Sequence, residues 1–128
     1  MIVDTCTIID LIHNNQQAKK KVAELKQLNT HFITTSVTIY EIEQGLDTRD
    51  FQARKKIGDI MRGLGIIPFD REAAIVAGQL SRELRERGVM IPTQDCMIAG
   101  IALPSNQSLL TGNKKHFERI EELKVESY

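Results

Sequence analysis

The chain has 128 residues, one domain's length and enough for a real hydrophobic core. With 41% hydrophobic and 27% charged residues it has an ordinary globular composition, and no apolar run approaches the roughly 20 residues that span a bilayer. Lys plus Arg equals Asp plus Glu at 17 each, which excludes a surface basic all over but not a local basic rim beside an acidic site.

Two cysteines, Cys6 and Cys96, are too few for a disulfide scaffold. No basic stretch precedes the apolar residues at Met1–Val3, so that segment is not read as a secretory leader. The expectation is a single domain over 1–128, cytoplasmic, with reduced thiols and no membrane association.

The chain opens with a short apolar strand, Met1–Val3, ending at Asp4. Thr7–His13 and Ala18–Leu28 follow as helices, with apolar residues three and four apart (Ile8, Leu11, Ile12; Val22, Leu25). His31–Thr34 reads as a second strand, after which Ser36 is placed to cap a helix that carries Val37, Ile39, Tyr40 and Ile42 and stops near Gly45. Phe51–Leu64 is amphipathic, with Ile57, Ile60, Met61 and Leu64 on one face; Ile66–Phe69 is a third strand. Asp70 caps a long helix to about Arg87, with Ala74, Val76, Ala77, Leu80 and Leu84 inward, ended by Gly88. Thr93 caps a helix over Gln94–Leu103 that is apolar nearly all round and is expected to be buried. Ser108–Leu110 makes a fourth strand and Leu123–Val125 a fifth. Strands alternating with helices indicate an α/β domain with a mostly parallel sheet, whose function gathers beyond the carboxyl ends of its strands. Asp4, Ser36 to Glu41, Asp70 and Thr111 to Asn113 stand there.

Asp4 follows the first strand, Glu41 lies just over one turn into the helix after the second, Asp95 is in the first turn of the buried helix, and Asn113 follows the fourth strand. A parallel sheet can bring these four oxygen-bearing side chains together, and oxygen is what hard cations such as Mg²⁺ and Mn²⁺ bind. A cation held there lowers the pKa of a water and offsets charge building on a phosphate. Each residue also has a plainer account: Asp4 as a helix cap, Glu41 on a solvated face, Asp95 favouring the positive end of a helix dipole. An unpaired carboxylate opening a buried helix is nevertheless costly.

The stretches Met1-Ile-Val-Asp4-Thr5 and Ser36-Val-Thr-Ile-Tyr-Glu41-Ile-Glu-Gln-Gly45 resemble the first two motifs of VapC-type PIN-domain toxins. So do Ile67-Pro-Phe-Asp70-Arg-Glu-Ala-Ala74, Ile91-Pro-Thr-Gln-Asp95-Cys-Met-Ile-Ala99, and Leu109-Leu-Thr111-Gly-Asn113 followed by His116-Phe117, in the same order and spacing. The resemblance implies a three-layer α/β/α fold with four to five short strands, an acidic site for Mg²⁺ or Mn²⁺, and cleavage of RNA by the toxin half of a toxin–antitoxin pair. It places Asp4, Glu41 and Asp95 as metal ligands and core acids. Asn113 stands where many relatives have a fourth acid, which puts a second metal position in question. Thr111 matches a hydroxyl residue beside the site, suited to position a water or a phosphate; Ser36 is a weaker candidate for that work. A small antitoxin protein and a second copy of the chain are the implied partners besides RNA.

The run Lys19-Lys20-Lys21, with Arg49, Arg54, Lys55, Lys56, Lys114 and Lys115, supplies candidate phosphate contacts; a charge run is as often only a solvated face. His116 is read as structural or surface, and Cys6 and Cys96 as small packed side chains, since no zinc-type Cys/His spacing is present. The apolar face of Phe51–Leu64 is assigned to core packing ahead of docking an amphipathic partner. Asp4-Thr5-Cys6-Thr7 lacks the second Asp of haloacid-dehalogenase phosphatases, and no acidic pair of a phospho-receiver is found. A PIN-like module that binds RNA or protein without cutting is the remaining alternative, favoured only by Asn113.

Overall fold

In the computed structural model, which describes residues 1–128, the backbone forms five strands and seven helices. These are β1 (Ile2–Val3), α1 (Thr5–Ile12), α2 (Gln16–Gln27), β2 (Ile33–Thr35), α3 (Ser36–Gly45), α4 (Phe51–Arg62) and β3 (Gly65–Ile67). Then come α5 (Arg71–Glu86), α6 (Thr93–Ala102), β4 (Leu109–Leu110), α7 (Lys114–Phe117) and β5 (Val125–Glu126). The sheet order is β3-β2-β1-β4-β5 and every pairing is parallel. The chain builds outward from β1 to β3, then returns to pair β4 against the free edge of β1, so the strand order switches between β1 and β4.

Successive residues of a strand point to opposite faces. Ile2 enters a cluster of 13 buried residues that includes Val37, Ala73, Leu84, Ile98, Leu109 and Phe117, whereas Val3 enters a second cluster with Ile8, Ile12 and Ile42. Both faces of β1 are therefore covered by helices, which makes three layers, α/β/α. Helix α6 is the deepest element, with Ile98, Ala99, Gly100, Ile101 and Ala102 all buried. It lies against α5 at close range: a Cβ on Gly100 would stand 2.6 Å from the Ala73 carbonyl oxygen and 2.7 Å from the Ala77 Cβ.

That contact corrects one expectation for α5. Its buried stripe runs through Ala73, Ala77 and Leu84, and Ala74 faces solvent. Two caps are also corrected. β2 continues through Thr35, so Thr35 caps α3, its hydroxyl accepting from the Thr38 N–H at 3.0 Å, and Ser36 is the first helical residue. Helix α6 begins at Thr93 behind Pro92, with no side-chain cap, leaving Asp95 in its first turn to complement the dipole. Asp70 does cap α5, accepting from the Ala73 N–H at 2.9 Å. Helices α1 and α2 are each followed two residues on by an asparagine in the left-handed region, Asn14 and Asn29, where α5 uses Gly88; Asn106 takes the same conformation in the turn after α6. The short helix α7, directly after Asn113, was not expected from the sequence.

Candidate active site

Parallel pairing aligns the carboxyl ends of β1 and β4, and the Asp4 N–H bonds the Leu110 carbonyl at 3.0 Å. Asp4 and Thr111 are thus neighbours at the point where strand order reverses. Asp4 is 5% exposed and Thr111 fully buried. The Thr111 hydroxyl donates to Asp4 Oδ2 at 2.7 Å, the Cys6 thiol approaches the same oxygen at 3.0 Å, and Asp4 Oδ1 accepts from the Thr5 N–H at 2.7 Å. Asp4 is therefore both the cap of α1 and a buried carboxylate at the centre of the site. Burial and the Asp4 charge push the Cys6 thiol up to about 11, so at neutral pH it remains a donor.

Glu41 enters from α3 and accepts a short hydrogen bond from the Thr5 hydroxyl. Burial raises its carboxyl above the ordinary range, against the Thr5 bond, and the charges of Asp4 and Asp95 add to the rise. Asp95, from the first turn of α6, is raised chiefly by burial and further by Asp4, with the hydrogen bond to His116 opposing. The three acids thus lie within one another's fields, as their spacing in the sequence predicted.

Asn113 stands at the start of α7, and His116, one turn on, joins it to Asp95. His116 Nδ1 lies 2.7 Å from Asp95 Oδ2 and 2.7 Å from the Asn113 amide. One ring nitrogen donates or accepts, not both. With Nδ1 protonated it donates to Asp95 and the Asn113 amide turns its oxygen inward. With Nδ1 bare, Asn113 donates to it and Asp95 must carry the proton.

The remaining candidates divide. Thr111 is beside the site as expected, but its proton goes to Asp4 and its oxygen accepts from the Asn113 N–H at 3.0 Å, so it orients Asp4 and is not free for a phosphate. Ser36 Oγ accepts from the Phe69 N–H at 2.8 Å, tying α3 to the turn before α5. Ser36 also lines an open cavity of about 380 Å³ with Tyr40, Gln94 and Met97, next to Glu41 and Asp95 in the chain. Lys114 and Lys115 are exposed on α7 beside Asn113 and form no ion pair. Of the other candidate cations, Lys21, Arg49 and Lys56 bond Glu126, Asp47 and the Ile12 carbonyl respectively. Cys96 is buried in the large core.

Sequence reasoning missed His116, Thr5 and Cys6 as partners of the acids. The signal for His116 was its spacing from Asn113, three residues on, after a strand end; for Thr5 and Cys6 it was simply adjacency to Asp4.

The donors gathered here are carboxylate, hydroxyl and amide oxygens, the set a hard divalent cation takes. Mutual repulsion among the three acids is the charge such an ion would offset. No three acidic, His or Cys side chains are already drawn close enough to form a ready-made cage. Each carboxylate is partly engaged, yet retains lone pairs beyond the bonds described. The residues fit the ion in kind.

Comparison with known proteins bears on the family and the fold. A sequence profile described as the PIN domain matches residues 1–123. The chain is 30% identical to Ribonuclease VapC1 of Methanocaldococcus jannaschii, over 100% of this chain and 86% of that protein. It is 29% identical to the tRNA(fMet)-specific endonuclease VapC of Salmonella typhimurium, over 99% and 96% of the two chains. Among solved structures it is similar to VapBC2 from Rickettsia felis bound to a DNA fragment from their promoter, with TM-score 0.88, 26% identity, and 99% and 97% coverage. No helix is long and apolar enough to cross a membrane.

Proposed function

This chain belongs to the PIN-domain family, alongside VapC ribonucleases, and on that premise we propose that it is a metal-dependent endoribonuclease, the toxin of a toxin–antitoxin pair. The observation that carries the reading is the convergence of Asp4, Glu41 and Asp95 from three separate segments, two of them held above the ordinary carboxyl range by burial and by one another. Such crowding is unfavourable in the free protein and is put to use when positive charge and a phosphate arrive.

Asp4, Asp95 and Glu41 would hold Mg²⁺ or Mn²⁺, which supplies an activated water and neutralises charge on the phosphate. Thr111 and Cys6 fix the orientation of Asp4 through Oδ2. Thr5 fixes Glu41, and His116 with Asn113 fixes Asp95. Lys114 and Lys115, exposed on the helix that Asn113 begins, would meet the RNA backbone.

Relatives with solved structures occur as VapBC complexes, which supports a small antitoxin as the partner in the cell; we add a homodimer and a cytoplasmic location to the proposal. The test is cleavage of total RNA with Mg²⁺, with Mn²⁺ and with EDTA. Cleavage that EDTA stops is the expected result; binding without cutting under every condition would replace this reading by that of a non-cleaving module. Light scattering at tens of micromolar tests the dimer, and a monomer there would remove it.

A further inference from the structure

We infer that Tyr128 is a positioning residue that holds the Thr111–Asn113 segment in place, and through it both Asp4 and the Asn113–His116–Asp95 set; the inference rests on the nuclease reading of this site. Gly112 is the link between the two halves of that constellation. Thr111 on one side bonds Asp4, and Asn113 on the other meets His116. The Gly112 N–H donates to Cys6 Sγ at 3.3 Å. The Tyr128 ring lies against the same residue, where a Cβ at position 112 would stand 2.8 Å from the phenol oxygen and 3.1 Å from the ring carbon that bears it.

Gly112 has no left-handed φ, so its backbone does not call for glycine. What calls for it is space, and Tyr128 occupies that space. The ring is itself pinned. Its hydroxyl donates to Asp10 Oδ2 at 2.8 Å and sits 3.3 Å from Thr7 Oγ1, while Thr7 donates to the Leu110 carbonyl at 3.0 Å. One side chain just beyond β5, the edge strand, thus bridges α1 to the segment that follows β4. Burial pushes the phenol well above its ordinary range, with Asp10 adding to the rise, so at neutral pH it is a donor. Tyr128, Asp10 and Gly112 are not among the residues assigned above to the cation or to RNA.

The experiment compares Tyr128→Phe, Tyr128→Ala, Gly112→Ala and the double variant Gly112→Ala/Tyr128→Ala. It measures amide hydrogen exchange at positions 112 and 113, and kcat and KM for Mn²⁺-dependent RNA cleavage. Tyr128→Ala is expected to speed exchange and lower kcat about fivefold each with KM unchanged, the scale of one neutral hydrogen bond. Tyr128→Phe, which keeps the ring over Gly112, shows the same change in smaller degree and guards against loss of folding. Gly112→Ala displaces the ring and so perturbs the native background, yet adds nothing once position 128 is Ala. Unchanged exchange and kcat in Tyr128→Ala, or an equal effect of Gly112→Ala in both backgrounds, overturns the inference. If the native chain cuts no RNA the nuclease reading fails by itself, and the exchange rates alone decide whether the clamp exists.

Discussion

Ile2 and Val3, adjacent in the chain, point into two very different cores. Ile2 is one of 13 buried residues drawn from β1, β4, four helices and the segment after α7, with Gly100 of α6 pressed against the α5 backbone. Behind Val3 stand only Ile8, Ile12 and Ile42, and the helix that covers them, α4, contributes partly buried Ile57, Ile60 and Met61 but no buried residue. Asp95 and His116 are carried by elements of the first core, since α6 and α7 lodge there through Ile98, Ile101 and Phe117. Glu41 rides on α3, which anchors Val37 in the first core and Ile42 in the second. Asp95 is thus set by the large core, whereas Asp4 and Glu41 stand between the two, and the α4 layer is expected to yield with little movement of any of them.

The strongest way to break this picture is to remove an acid and watch the fold. Asp95→Asn is expected to lower metal-dependent cleavage about a thousandfold, about 4 kcal/mol of transition-state stabilisation, with an unchanged urea midpoint. Asp4→Asn loses activity as fully but also costs about 1–3 kcal/mol of stability, because an amide then faces the Thr111 and Cys6 donors in a buried setting. Equal stability in both variants would show that Asp4 is not the structural acid of the pair.

Gly100→Ala strikes the large core itself. The added methyl meets backbone at 2.6 Å, so α5 and α6 must part, at a cost of about 2–3 kcal/mol in urea unfolding and with weaker Mn²⁺ binding as Asp95 shifts. Ile57→Ala does the converse. It should cost only about 1 kcal/mol, appear as faster amide exchange confined to α4, and leave kcat unaltered. Loss of activity in Ile57→Ala would mean that the thin layer sets the acids after all.

The smallest effect is on pH. Glu41 and Asp95 titrate above their unfolded values, so in the window between the two the native state binds more protons than the unfolded one. The stability of the metal-free protein from this source therefore falls as pH rises through that window, and is unchanged above it. In EDTA, Asp95→Asn should flatten the fall in Tm over the carboxylate range relative to the native chain. An identical slope would show that Asp95 does not titrate abnormally.

Strand and helix order were legible because apolar spacing and chain reversals are written locally, as in the run from Met97 to Ala102. What was not legible depended on a neighbour far along the chain. Ala73 and not Ala74 faces inward because Gly100 lies against it, and Ser36 is not the cap because β2 holds one more residue against β3. The acids were visible at segment ends, whereas their partners were not: nothing local says that the His116 ring turns to Asp95 or that Cys6 leans on Asp4.

The return of β4 to the free edge of β1 also orders events in time. Asp4 and the Thr111 that orients it are 107 residues apart, close to the greatest separation the chain allows. At about 5–20 residues per second, roughly 5–20 s of synthesis separate the two. During that interval β1, β2 and β3 can pair, but Asp4 lacks its partner and the loop bearing Asn113 and His116 does not yet exist. Asp4 therefore gains the hydroxyl that orients it, and the neighbours of Asp95, only after β4 and α7 have been made.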